Sequence, residues 1–129
     1  MQLKSLVFIE NYKMFKAGTK FTFCKDKLNI IIGAGGSGKS ILVKILCDII
    51  NSKEKLFEGC IEAEYFVTEY CEETIIIDDA ICILNESEIN NLFNIFNKYM
   101  YELNKQVIVT VRSPYYSKEK ISDANWIKL

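Results

Sequence analysis

A three-layer α/β fold built on a mainly parallel sheet is what three features of this 129-residue sequence predict. Residues 28–32, 74–77 and 107–111 are short, apolar, β-branched runs of the kind that strands buried on both faces require. Residues 39–50 and 86–103 instead repeat apolar side chains at three- and four-residue intervals, which is the helical period. The two kinds of segment alternate along the chain, and that alternation is what parallel pairing demands, because a parallel neighbour is reached only through a crossover.

Taken in order, residues 3–9 and 19–23 are extended segments around a polar turn at Lys16, Ala17 and Gly18, which predicts an antiparallel strand pair near the amino terminus. The strand at 28–32 ends at Gly33, and the helix after it carries Ile41, Leu42, Ile45, Leu46, Ile49 and Ile50 on the face turned to a sheet. Residues 51–59 read as a polar connection. A strand is expected within 61–68, where Glu62 and Glu64 alternate with apolar residues as on an edge or half-exposed strand. The run at 74–77 ends in Asp78 and Asp79, and the second helix places Ile89, Leu92, Phe93, Phe96 and Met100 on one face. Ser113 and Pro114 stop the strand at 107–111, and 126–129 suggests a last strand.

Composition narrows the function. An apolar share of 50% with 26% charged residues suits one globular domain spanning residues 1–129, with a core large enough to need no covalent staples. Sixteen basic against seventeen acidic side chains create no global field for nucleic acid. Five cysteines without CxxC spacing, in a chain that has no histidine, support neither a disulfide framework nor a zinc site. The amino-terminal run lacks the pattern of a secretory leader, and no apolar stretch approaches the roughly 20 residues of a membrane span. The expectation is a cytoplasmic protein without membrane contact.

Gly33, Ala34, Gly35, Gly36, Ser37, Gly38, Lys39 and Ser40 match GxxxxGK[ST] at every defined position, between a buried strand and a helix. Glycines let such a loop curl until successive backbone N–H groups face a phosphate, and the helix amino terminus adds partial positive charge. The expected ligands are ATP and Mg²⁺. Lys39 is expected to bridge the β- and γ-phosphates, Ser40 to ligate Mg²⁺, and Ile41 to close the nucleotide-binding segment. Asp78 follows a buried run at the same sheet edge and is the second expected Mg²⁺ residue. Asp79, next to it, is either the base for an attacking water or an exposed acid beside a metal ligand.

In these segments the chain resembles the ABC-type ATPases, in particular the soluble branch that includes structural-maintenance-of-chromosomes, RecF-like and OLD-nuclease heads. LVFIENYKMF is similar to that branch's opening strand and asparagine-aromatic turn, and LNIIIGAGGSGKSILVKIL to its nucleotide loop and first helix. TIIIDDAICILNESE resembles its Walker B strand and D-loop, QVIVTVRSP its switch strand, and DANWIKL its closing strand. The resemblance implies a P-loop NTPase in which strand 28–32 lies beside 107–111, with 74–77 beyond. It implies nucleotide contacts from Tyr12 and Lys13, with Phe15 either beside the base or in the core, and Arg112 either sensing the γ-phosphate or pairing at a surface.

Departures from that family set further expectations. About two dozen residues separate the first helix from Walker B, and they hold neither a Leu-Ser-Gly-Gly signature nor a glutamine. A homodimer of this chain could not make that family's standard closure of one head on another, and the expected partner is another protein chain or a homo-oligomer of a different kind. Asp79 stands where a glutamate is usual, and a carboxylate about 1 Å short can cost roughly 100-fold in rate, so turnover is expected to be slow. The alternative is a nucleotide-gated regulatory or binding subunit with little hydrolysis. A kinase is disfavoured because Arg112 is the sole arginine, and a GTPase because Asn104, Lys105, Gln106 and Val107 precede a strand and lack the guanine-reading aspartate. A role in DNA repair or phage defence is implied by resemblance alone, with Lys53, Lys55, Lys118 and Lys120 as the basic residues available for DNA.

Overall fold

The amino-terminal strands β1 (Ser5–Val7) and β2 (Lys20–Thr22) pair antiparallel, with Leu6 opposite Phe21. In this computed structural model the described residues are 3–34, 36–50, 55–56, 74–78, 86–111 and 124–129. A second sheet contains β3 (Asn29–Ile32), β4 (Lys55–Leu56), β5 (Thr74–Asp78), β6 (Gln106–Val111) and β7 (Asn125–Lys128). Its order is β4-β5-β6-β3-β7 and every pairing is parallel. Strand β6 therefore lies between β3 and β5, in the order that the resemblance implied.

Helix α1 (Lys39–Ile50) and helix α2 (Glu86–Leu103) have the bounds that the helical period predicts. Helix α2 ends where Asn104 takes φ 58 and donates its N–H to Met100 O at 2.9 Å, a left-handed closure that asparagine tolerates.

Burial follows from the period of two. Ile31, Ile76, Ile108 and Ile127 share one face of the sheet and join a core cluster with Leu42, Val43 and Leu46 of α1 and with Phe8, Phe15, Phe21 and Phe23 of the amino-terminal segment. Ile30, Ile75, Ile77, Val107 and Val109 alternate to the opposite face and are fully buried. Helix α2 contacts β6 and buries Phe96 and Met100.

One expectation needs correction. Residues 51–59 read as connection, yet Lys55 pairs with Ile77 and Leu56 with Asp78. Two residues carry too little pattern to announce a strand, and hydrogen bonds to β5 determine this one instead. The strand expected within 61–68 lies outside the described residues.

At the foot of the sheet, buried amides tie the two sheets together. The Asn29 amide donates to Cys24 O at 2.8 Å and to Val107 O at 3.1 Å, and its oxygen accepts from Cys24 N at 2.8 Å and from Asn125 Nδ2 at 2.8 Å. Gln106 donates to Leu3 O at 2.7 Å and accepts from Leu3 N at 2.7 Å and Thr74 Oγ1 at 2.9 Å. The amino-terminal hairpin is thereby fixed to the starts of β3 and β6.

Candidate functional site

The chain leaves β3 at Ile32 and turns at once. Gly33 N donates to Val111 O at 3.4 Å, Ser37 N donates to Ala34 O at 3.1 Å, and Leu42 N donates to Gly38 O at 2.9 Å as α1 begins. Two glycines are required by what surrounds them. A Cβ on Gly33 would collide with the Ser37 hydroxyl and sit 3.3 Å from Leu129 Cβ. Gly38 has φ 97, and a Cβ there would collide with the Met14 sulfur and sit 3.1 Å from the Phe15 ring. The turn at residues 12–15 thus rests directly on the loop. Gly38→Ala is expected to lower stability by roughly 2 kcal/mol in urea unfolding, combining left-handed strain with overpacking. Trimming Met14 to alanine as well should return the packing part only.

Lys39 opens α1 yet is only 8% exposed. Its Nζ donates to Val111 O at 3.1 Å, so the ammonium lies across the carboxyl end of β6, on the side where β5 also ends. Parallel register aligns that edge: Ile32 is level with Val111, and Ile77 with Val109, so Asp78 ends its strand one step below Val111. Strand β6 alone separates the ends of β3 and β5, which puts them about 10 Å apart. Ser40 is exposed in the first turn of α1, whereas the Ile41 side chain packs against the core cluster. Gly35, Asp79 and Arg112 lie outside the described residues.

Tyr12 and Phe15 exchange backbone hydrogen bonds of 2.8 Å around Lys13, which has φ 50. Tyr12 is half exposed, stacks on Phe8 with centroids 6.5 Å apart, and lines an apolar cleft with Leu6, Ile9 and Ile45. Lys13 Nζ lies 5.8 Å from the Tyr12 ring centroid. Of the two readings of Phe15, the structure takes the core one: it is buried, stacked on Phe8 at 4.8 Å and edge-on to Phe21 at 5.8 Å. Sequence reasoning missed Met14 as the contact on Gly38 and Val111 O as the lysine's acceptor. An apolar residue exposed between two turn aromatics was the signal available for the first.

These residues fit a polyphosphate. A loop closed by glycines at points of contact, a helix amino terminus and a buried ammonium all favour an anion. The Ser37 hydroxyl oxygen is buried with no hydrogen-bond partner. Among the described residues no group of three His, Cys, Asp or Glu could hold a metal ion. Mg²⁺ with a nucleotide needs few side chains, since it keeps waters and phosphate oxygens, and one hydroxyl with one carboxylate suits that demand. No helix among the described residues is long and apolar enough to cross a membrane.

A family model described as RNA helicase matches residues 29–126, well over half of the chain. No curated protein matches the sequence. Solved structures similar to this one include the replication initiator DnaA bound to AMPPCP and single-stranded DNA, with 17% identity, TM-score 0.50, 81% of this chain covered and 40% of that one. The DnaC helicase loader is similar at 13% identity and TM-score 0.45, with 81% of this chain and 79% of that one covered. The chain spans about two fifths of the DnaA chain. At these identities the likeness to DnaA is one of fold, and the fold is that of a P-loop NTPase.

Proposed function

The chain belongs to the RNA helicase family, and on that premise we propose that it is a Mg²⁺-dependent ATP-binding protein whose ATPase activity is slow or partner-dependent. The observation that carries this reading is the turn that the chain makes at Gly33 and again from Gly36 into α1 at the carboxyl end of β3, with the Lys39 ammonium reaching the end of β6. Backbone amides of the loop and α1 hold the phosphates, and Lys39 exchanges its carbonyl partner for phosphate oxygens. Ser40 and Asp78 are assigned to the metal, Asp79 to the attacking water and Arg112 to the γ-phosphate. Magnesium, when bound, neutralises charge on the transferred phosphoryl group. Tyr12 and Lys13 lie on the turn that touches the loop and are the residues for base and phosphate contacts.

The contact of residues 12–15 with Gly38 supports the finer assignment to an ABC or SMC-like type, because the segment resembling that branch's opening turn is the one that reaches the loop. Family membership supports a nucleic-acid partner, and a role in DNA repair or phage defence would use the same nucleotide site. A calorimetric titration with MgATP and a phosphate-release assay test the reading. Uptake is expected, with release above that of Asp78→Asn by at least about tenfold, the scale of one lost charge-assisted contact. Well-folded protein that takes up no MgATP would end it. Uptake with no release above the variant would favour the nucleotide-gated binding subunit.

A further inference from the structure

Strand β1 meets β2 along one edge, and among the described residues no strand pairs with the other edge. Phe23 N donates to Lys4 O at 2.9 Å and Phe8 N to Thr19 O at 3.0 Å, with Leu6 opposite Phe21 between them. In an antiparallel pair that alternation commits the main-chain groups of Lys4, Leu6 and Phe8 to β2 and turns those of Ser5 and Val7 to the open edge. Proteins usually blunt such an edge with charge or proline. Here the outward face carries Ser5, Val7 and Ile9, all exposed, with Val7 at 46% and Ile9 at 88%. Beside it runs the open apolar cleft of about 360 Å³ that Leu6, Tyr12 and Ile45 line.

We infer that this edge pairs with the same edge of a second copy of the chain, antiparallel and about a two-fold axis at Val7. Main-chain donors and acceptors turned outward call for an extended strand, and the register decides whose strand it is. With Val7 opposite Val7 of the second copy, Leu6 comes opposite Phe8, Ser5 opposite Ile9 and Lys4 opposite Glu10, each twice by symmetry. Lys4 and Glu10 are both exposed. Sliding either way to the next hydrogen-bonded register loses the match, because Lys4 then faces Phe8 or Glu10 faces Leu6. One register therefore sets apolar against apolar and cation against anion, using the chain's own sequence on both sides. The chain bends at Ile9 and Glu10, which keeps the ladder short and the dimer weak.

Sedimentation equilibrium on the full chain should show monomer passing to dimer between about 10 and 200 µM, the range that a short strand interface supports. Val7→Lys sets two like charges against each other at the axis and should raise the dissociation constant at least about tenfold. Its urea unfolding should match the parent's, because Val7 lies on an exposed face. Lys4→Glu and Glu10→Lys should each raise the dissociation constant about threefold, and the two together should return it to within about twofold of the parent. Charges that acted only within one chain would show no such return. A chain that stays monomeric at about 200 µM would overturn the second copy as the occupant of this edge. So would a dimer that Val7→Lys leaves intact, or a double variant that associates no better than the single ones.

Discussion

Lys39→Met is expected to weaken MgATP binding by at least about a hundredfold while leaving unfolding free energy within about 1 kcal/mol of the parent. The two halves of that expectation have separate causes. In binding, the variant loses the one buried cation that the loop presents to phosphate oxygens, and a charge-assisted hydrogen bond in a poorly solvated site is among the stronger single contacts available. In stability, the lysine's ammonium is a cost as well as a bond, because it is desolvated at 8% exposure. Its partner, Val111 O, also accepts from Gly33 N, so methionine does not leave that carbonyl alone. Methionine fills nearly the same volume without a charge to bury. Urea unfolding and calorimetry on the same preparation separate the outcomes. A large loss of stability would make Lys39 a strut between α1 and β6, and an unchanged affinity would remove it from the nucleotide site.

Both helices and the three central strands were legible because their burial imposes a period on the sequence. Helix α1 packs one face against Ile31, Ile76 and Ile108, and its apolar residues recur accordingly. Strands β3, β5 and β6 are covered on both faces and read as continuous apolar runs. Periodicity reports which face is buried, but not which strand is next to which. The order β5-β6-β3 came from resemblance, and the structure has it. Strand β4 was hidden because its two residues owe their conformation to β5. The two readings of Phe15 could not be separated in sequence, since an aromatic beside a phosphate loop and one beneath it obey the same pattern; packing on Phe8 and Phe21 decides between them. The polar residues at the foot were opaque for another reason. Asn29 and Gln106 look like strand boundaries in sequence, yet they are completely buried and join parts of the chain far apart.

That last feature gives the largest stability effect expected from a single change. Asn29→Leu should lower the unfolding free energy by roughly 3–5 kcal/mol, at the diagnostic end of the range for point substitutions. Leucine keeps the volume but deletes both donors and the acceptor. Cys24 N loses its partner in Asn29 Oδ1, and Cys24 O and Val107 O lose theirs in the amide nitrogen. Leaving such groups unmet costs more than the bonds were worth in forming. Asn29→Asp should be no better, because a carboxylate still accepts from Cys24 N and Asn125 Nδ2 but turns an acceptor toward the carbonyls of Cys24, Lys27 and Val107. The consequence should reach the other end of the strand. Cys24 follows β2, β2 holds β1, and the segment continuing from β1 carries Phe8 stacked on Phe15, with Phe15 and Met14 against Gly38. Loosening the foot therefore loosens the turn that seats the loop, about 13 Å away along β3. A MgATP titration of Asn29→Leu at a temperature where the variant remains folded should show weaker binding although no ligand-facing residue has changed. Undiminished affinity would mean that the loop holds its shape from β3, β6 and α1 alone, and that the hairpin is a lid on the core rather than part of the site.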